Sequence, residues 1–153
     1  MFAYRINLPE KIEDLSGKDC AEKGGRWNEK GIPMIYLSSS VSLATVESIV
    51  HMSAGDHEKE FKILTLEIPD DIEKFVIYLN ELPERWNIHP PEAHTIKKGS
   101  DWARSNRSLI LQVPSAVITC EHNILLNPLH PEMQRVRIKS IEPFGFDKRL
   151  FTN

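Results

Sequence analysis

A chain of 153 residues suits one domain around one core. Apolar residues make up 41% and charged residues 27%, as in an ordinary soluble globular protein. With 22 acidic and 19 basic side chains the net charge is only -3, which gives no support for a general nucleic-acid or membrane surface.

The opening "MFAYRINLPEKIED" has no long apolar segment, so it does not read as a signal peptide. "FAYRI" alternates as a short strand. The polar, glycine-punctuated "EKIEDLSGKDCAEKGG" reads as a loop with room for one helical turn. "PMIYLS" is a short apolar strand. "SSVSLATVESIVHMSAG" predicts a helix capped by Ser39 or Ser40 and ended by Gly55. Leu43, Val46 and Val50 then share one face, and at about 100° per residue Glu47 falls on that same side.

"FKILTLEIP" predicts a strand with Leu64, Leu66 and Ile68 inward, and "EKFVIYL" a further one. "NELPERWNIHPPEAH" carries three prolines and is expected to be irregular. "SDWARS" reads as a short helix with a Ser-Asp start. "SLILQVPSAV" is a buried strand broken at Pro114, and "HNILLNPLHPEM" a strand running into a proline-rich turn. "QRVRIKSIEPFGF" alternates, with Val136, Ile138 and Ile141 inward. Six or seven strands with two or three helices predict a single α+β domain over residues 1–153. No run of about 18 apolar residues is present, so no membrane-spanning helix is expected. Cys20 and Cys120 lie far apart. Free thiols in a reducing cytoplasm are the simplest expectation, with a pairing between the two left open.

Four residues stand out chemically. Glu47 would turn a carboxylate toward its own helix's apolar side, which is costly unless the group is paired or faces a pocket. It is either a glutamate paired with a lysine or arginine, or a cleft carboxylate able to stabilise a cation or polarise a hydroxyl. Arg26 follows Gly24 and Gly25. Its planar fork suits phosphate oxygens, and a surface ion pair is the plainer alternative. Tyr36, ten residues on, is either a core aromatic with a wet hydroxyl or a stacking platform for a flat ring. Ser115 sits at the Pro114 bend. No Gly-x-Ser-x-Gly pattern surrounds it, so a turn serine is favoured over a hydrolase nucleophile. The six histidines form no zinc-binding pattern, so no metal is expected. No P-loop or dinucleotide-fold glycine pattern occurs either.

Taken in order, "YRI", "GGRWN", "GIPMIYLS", "SLATVES", "VPSAV", "NILLNPLHPEM" and "FGFDKRL" resemble the RES domain family, the toxins of bacterial RES–Xre toxin–antitoxin pairs. The resemblance runs from Tyr4 to Leu150 and is weakest from Tyr78 to Lys98. It implies a fold similar to that of ADP-ribosyltransferase toxins, a split pair of twisted sheets with NAD in the cleft. It implies an enzyme that cleaves the nicotinamide–ribose bond of NAD by hydrolysis or phosphorolysis, or transfers ADP-ribose to a protein. The arginine, glutamate and serine of the family name would be Arg26, Glu47 and Ser115, with Tyr36 as a fourth pocket residue and Arg5 as a rival for the arginine role. Glu47 and Arg26 would be catalytic, and Arg26, Tyr36 and Ser115 would bind NAD. Arg26 would meet the pyrophosphate, Tyr36 would stack on nicotinamide and Glu47 would face the ribosyl cation. Ser115 would bond the nicotinamide amide or orient Glu47. The implied partner is an Xre-type helix-turn-helix antitoxin, bound to a cytoplasmic homodimer without direct DNA or membrane contact. A catalytically inactive module that binds nucleotide or antitoxin is the alternative of another class.

Overall fold

The structure, a computed structural model, describes residues 1–53 and 55–151. Seven strands are present among them: β1 (Phe2–Asn7), β2 (Ile35–Ser38), β3 (Phe61–Glu67), β4 (Lys74–Val76), β5 (Ile110–Pro114), β6 (His122–Leu126) and β7 (Arg137–Phe144). Three α-helices accompany them: α1 (Lys18–Lys23), α2 (Val41–Ile49) and α3 (Ala93–Ser105). The expected α+β class holds. The strands form one sheet in the order β4-β5-β6-β2-β1-β3-β7. Its ladders are antiparallel except for the parallel pair β4–β5.

The sheet has a seam. β1 and β3 are paired along their whole length, from Phe2 opposite Glu67 to Asn7 opposite Lys62. β1 and β2 meet only where Tyr4 lies opposite Ser38. That short ladder divides the sheet into two halves, β4-β5-β6-β2 and β1-β3-β7.

Within the first half, β2, β5 and β6 are largely buried on both faces, so they read as continuous apolar runs rather than alternating ones, while β4 is an exposed edge. Ile35, Leu37, Ile110, Ile124 and Leu126 point to one core, together with Ala3, Leu64 and Leu66 of the second half. Leu111, Val113 and Leu125 point to the other face, under Trp27, Trp86 and Trp102. Helix α3 approaches this tryptophan face so closely that a Cβ on Gly99 would lie 2.1 Å from the carbonyl oxygen of Trp27.

Several elements differ from expectation. Helix α3 starts eight residues before Asp101, just after Pro90 and Pro91, and Ser100 is interior to it, not at its start. The prolines cannot be helical interior, so the start falls immediately beyond them. Helix α2 is capped by Ser40, whose hydroxyl accepts from the Leu43 amide, but it ends at Ile49 rather than running to Gly55. Gly55 does take a left-handed φ of +85°, there opening a short 3-10 turn. Ala54, part of the expected helix, lies outside the described residues. Val50 is consequently exposed, and Leu43 and Ala44 carry the helix's buried face. In β7 the register shifts opposite Thr65 and Leu66. The bulge sets Ile138 and Ile141, three residues apart, opposite Leu66 and Leu64. Ile141 packs on the core, while Ile138 at the sheet edge stays 43% exposed.

Candidate active site

A cavity of about 550 Å³ opens at the seam between the two halves of the sheet, within the size range of small-molecule sites. Tyr4 and Arg5 of β1, Tyr36 and Ser38 of β2, Glu47 of α2 and Asn123 of β6 all line it. The pairing explains their convergence. Tyr4 lies opposite Ser38, Ser38 opposite Asn123, and Asn123 opposite Val113. Directly paired residues share a face, so these form one row across four strands. Helix α2 lies over the row and points Glu47 into it.

Glu47 is half-buried and stands near the C-terminal end of α2. A carboxylate is disfavoured there by the helix dipole. No lysine or arginine pairs with it among the described residues. Its Oε1 instead accepts two neutral hydrogen bonds, from Ser115 Oγ at 2.8 Å and from Asn123 Nδ2 at 2.5 Å. The core ion pair weighed from the sequence is therefore not what holds it. Oε2 has no hydrogen-bond partner among the described residues.

Ser115 is fully buried. Its backbone amide continues the β5–β6 ladder by donating to Glu121, 2.9 Å away. Its Oγ accepts from the amides of Val117 and Ile118 at 3.1 and 3.0 Å. Both acceptor positions being occupied, the hydroxyl proton is directed at Glu47. A hydroxyl tied down in this way is no free nucleophile. The same β5–β6 turn also grips the other end of α2, where Ser40 Oγ donates to Glu121 at 3.2 Å.

The Tyr36 ring lines the cavity while its hydroxyl points away into the protein. Oη accepts from the Trp27 amide at 3.0 Å and donates to Asn28 Oδ1 at 2.7 Å. Burial pushes the Tyr36 hydroxyl well above its usual pKa, so it stays protonated. This tether also accounts for Gly24 and Gly25. Gly24 takes a left-handed φ of +73° at the end of α1, and a Cβ on Gly25 would come within 2.7 Å of Tyr36 Oη. Gly25 makes room for the tyrosine hydroxyl, a reason that is structural and independent of any ligand.

Arg26 sits at the tip of the tight turn closed by the Gly25 amide and the Asn28 carbonyl at 2.9 Å. Its guanidinium donates to three carbonyls, those of Trp86 at 2.8 Å, Asn87 at 3.3 Å and Ile88 at 2.9 Å. It also lies 6.0 Å from the Trp86 ring centroid. The Nε–H and one Nη1–H are not spent in these bonds. Burial lowers its pKa, and the charge of Glu47 opposes that shift. Arg26 therefore feels Glu47 but is not among the cavity-lining residues.

Arg5 does line the cavity. Its Nη2 donates to the carbonyls of Ile12 and, at 3.0 Å, of Asp14. Its Nε is buried without a partner, an expensive state for a donor unless a ligand satisfies it. Burial pulls its pKa down, with Cys20, Asp14 and Asp19 acting the other way. Lys11, Lys18 and Lys59 on the same wall pair with Asp19, Asp14 and Asp56.

Asn123 and Ser38 escaped the sequence reading. The available signal was a polar residue at an inward position of an otherwise apolar strand. Among the described residues no three His, Cys, Asp or Glu side chains group to hold a metal ion, and no helix is long and apolar enough to cross a membrane. Cys20 is half-buried, Cys120 exposed, and both are free.

A family model described as the RES domain matches residues 3–147. The chain belongs to the RES domain family. Relatives of this RES chain include "Toxin Res" of Yersinia enterocolitica, 38% identical over 153 residues and covering 98% of this chain and 99% of the relative. "Prs ADP-ribosylating toxin" of a Sphingobium species is 34% identical over 142 residues, covering 92% and 88%. The toxin of the M. tuberculosis MbcT–MbcA toxin–antitoxin complex shares the RES chain's fold. Its TM-score is 0.73 at 15% identity, with 94% of this chain and 84% of that one covered.

Proposed function

We propose that this RES protein is a toxin that cleaves the nicotinamide–ribose bond of NAD in the cytoplasm. The observation that carries the reading is Glu47, a carboxylate held by two neutral donors at a cavity it shares with the Tyr36 ring and the Arg5 guanidinium. A cationic partner would cancel the charge of Glu47. Two neutral donors fix its position and leave the charge to act.

In the proposed reaction the C1′–N bond breaks and its electron pair leaves with nicotinamide, which departs neutral. Positive charge develops on the ribose, and Glu47 stabilises it through the free Oε2. A nucleophile then bonds to C1′ through its lone pair, and where it is water the surplus proton passes to solvent. Water or phosphate as acceptor makes the enzyme a glycohydrolase or a phosphorylase. Tyr36 offers a ring face for nicotinamide. Arg5, through its unspent Nη1–H groups, and Arg26, through its two unspent N–H groups, meet the diphosphate. Ser115 orients Glu47 rather than binding the nicotinamide amide, because its single proton is committed. The intact set argues against an inactive binding module.

ADP-ribosyl transfer to a protein is the second reading, favoured by the name of the Sphingobium relative. The chemistry up to the cation is identical and only the acceptor changes. The MbcT–MbcA neighbour supports a cognate antitoxin. We assign that role to an Xre-type helix-turn-helix protein bound to a toxin homodimer. Incubation of the purified chain with NAD should release free nicotinamide. Release without added phosphate or protein would identify water as the acceptor. Absence of release with water, with phosphate and with cell extract would overturn the proposal.

A further inference from the structure

We propose that Asn123 is a positioning residue for Glu47, holding the carboxylate by the side-chain amide while Ser38 holds that amide in turn. The inference rests on the functional reading above for its kinetic consequences, but its geometry stands independently.

The amide has one workable orientation. Oδ1 accepts from Ser38 Oγ at 3.0 Å, and Nδ2 donates to Glu47 Oε1 at 2.5 Å. Reversed, the amide would aim its oxygen at a carboxylate and its NH₂ at a hydroxyl whose proton would have to turn away. Strand pairing supports the arrangement from the backbone. Asn123 lies opposite Ser38 on one side and Val113 on the other, in a strand flanked by two ladders. Its side chain therefore emerges from a rigid base, which a site needs for precise placement.

The two donors to Glu47 divide the work. Ser115 reaches Oε1 from the β5–β6 turn, and Asn123 reaches the same oxygen from β6. Two donors from different directions fix the carboxylate plane and turn Oε2 to the ligand. One donor would leave the group free to rotate about it. An asparagine suits this task better than a lysine or arginine would, because it orders the charge without neutralising it.

Two substitutions test the role. Asn123→Ala removes the donor. Asn123→Asp keeps the shape but replaces the donor with an acceptor, setting two carboxylates against each other. For Asn123→Ala we expect kcat to fall roughly tenfold to a hundredfold, the range for loss of a group that orients a functional ligand, with KM for NAD little changed. Asn123→Asp should be worse at neutral pH and should recover as pH is lowered, since a proton shared by the two carboxylates restores a donor. Asn123→Ala should show no such recovery. Arg5, Tyr36 and Arg26 near the site, and His51 at the end of α2, are common to both variants, so the difference between their profiles reports position 123. Crystal structures of both variants give a readout that needs no activity. Glu47 should lose its single position in Asn123→Ala while Ser115 stays in place. Unchanged kcat, or a Glu47 carboxylate fixed as before in Asn123→Ala, would overturn the role. If the wild-type chain releases no nicotinamide, the functional reading falls, and the position of Glu47 in Asn123→Ala still decides this one.

Discussion

Two arginines, Arg5 in the cavity wall and Arg26 outside it, use their donors differently. Arg26, on the tryptophan-covered half, spends three N–H groups on the carbonyls of residues 86 to 88 and packs beside the Trp86 ring. It ties an irregular, proline-rich segment to a tight turn. Arg5, on the other half, lines the cavity, is anchored by two carbonyls through one nitrogen and leaves Nε buried and unsatisfied. A buried donor without a partner costs about 1–3 kcal/mol. Folding tolerates that cost at Arg5 and avoids it at Arg26. Arg26 thus keeps its unspent N–H groups where they are not sealed from solvent, while Arg5, a residue of the cavity wall, holds one donor sealed and unpaired.

The largest effect is expected where the cavity meets the carboxylate. Glu47→Gln keeps an oxygen able to accept from Ser115 and Asn123, so the helix and its two ties should survive. Stability should stay within about 1 kcal/mol or rise, because a charge near the C-terminal end of a helix has gone. Nicotinamide release should fall roughly a hundredfold or more, with NAD affinity little altered. A thermal melt and a release assay on the same sample separate the two effects. A variant that melts early yet turns over normally would reduce Glu47 to a structural residue.

The arginines themselves give the next largest effects, and their contrast is the direct test of the comparison. Arg5→Ala should weaken NAD binding about tenfold or more, the equivalent of one charge-assisted bond. Arg26→Ala should also weaken binding, but with a second signature. It releases the carbonyls of residues 86 to 88, so protease cleavage and amide exchange should increase in that segment, with a stability loss of about 1–3 kcal/mol. Calorimetry with NAD and hydrogen exchange on both variants decide the matter. Equal exchange in the two variants would erase the distinction drawn here. Wild-type NAD affinity in a folded Arg26→Ala would confine that residue to holding the segment.

How much of this was legible in the sequence depends on how local the cause is. The strands were legible because their apolar runs and turn punctuation are short-range signals. Glu47 was legible because helical geometry places it beside Leu43. What holds it was not, because Ser115 and Asn123 lie 68 and 76 residues away and meet it only through strand pairing. The glycines before Arg26 were visible but their reason was not, since the Tyr36 hydroxyl beneath Gly25 belongs to a tertiary contact. Helix α3 was read too short. Its polar first turns carry little periodicity of their own, and its fit against Trp27 through Gly99 is again tertiary. Ile138 was expected inward and does lie opposite Leu66, but β7 is the edge strand of the sheet, a long-range outcome, so the side chain stays half-exposed.

The smallest expected effect lies behind Arg5, in the turn that presents the Asp14 carbonyl to it. The Ser16 hydroxyl and amide, and more weakly Lys18, hold the Asp14 carboxyl down to about 2; the amide bond measures 2.9 Å. The side chain fixes the turn, and the turn's main chain fixes Arg5. A carboxyl depressed in the folded state stabilises it above the unfolded pKa of about 4. That contribution is lost as pH falls through the folded value near 2. Asp14→Asn should therefore lower the melting temperature slightly at neutral pH, by less than about 1 kcal/mol in stability because the site is solvent-screened. The gap between wild type and variant should narrow from about pH 4 downward and close near pH 2. NAD affinity should drop less than twofold to threefold, through a looser Arg5 rather than a lost contact. A gap that persists unchanged at pH 2 would mean that Asp14 acts through its shape and not its charge, and that the Arg5 anchor does not depend on its ionisation.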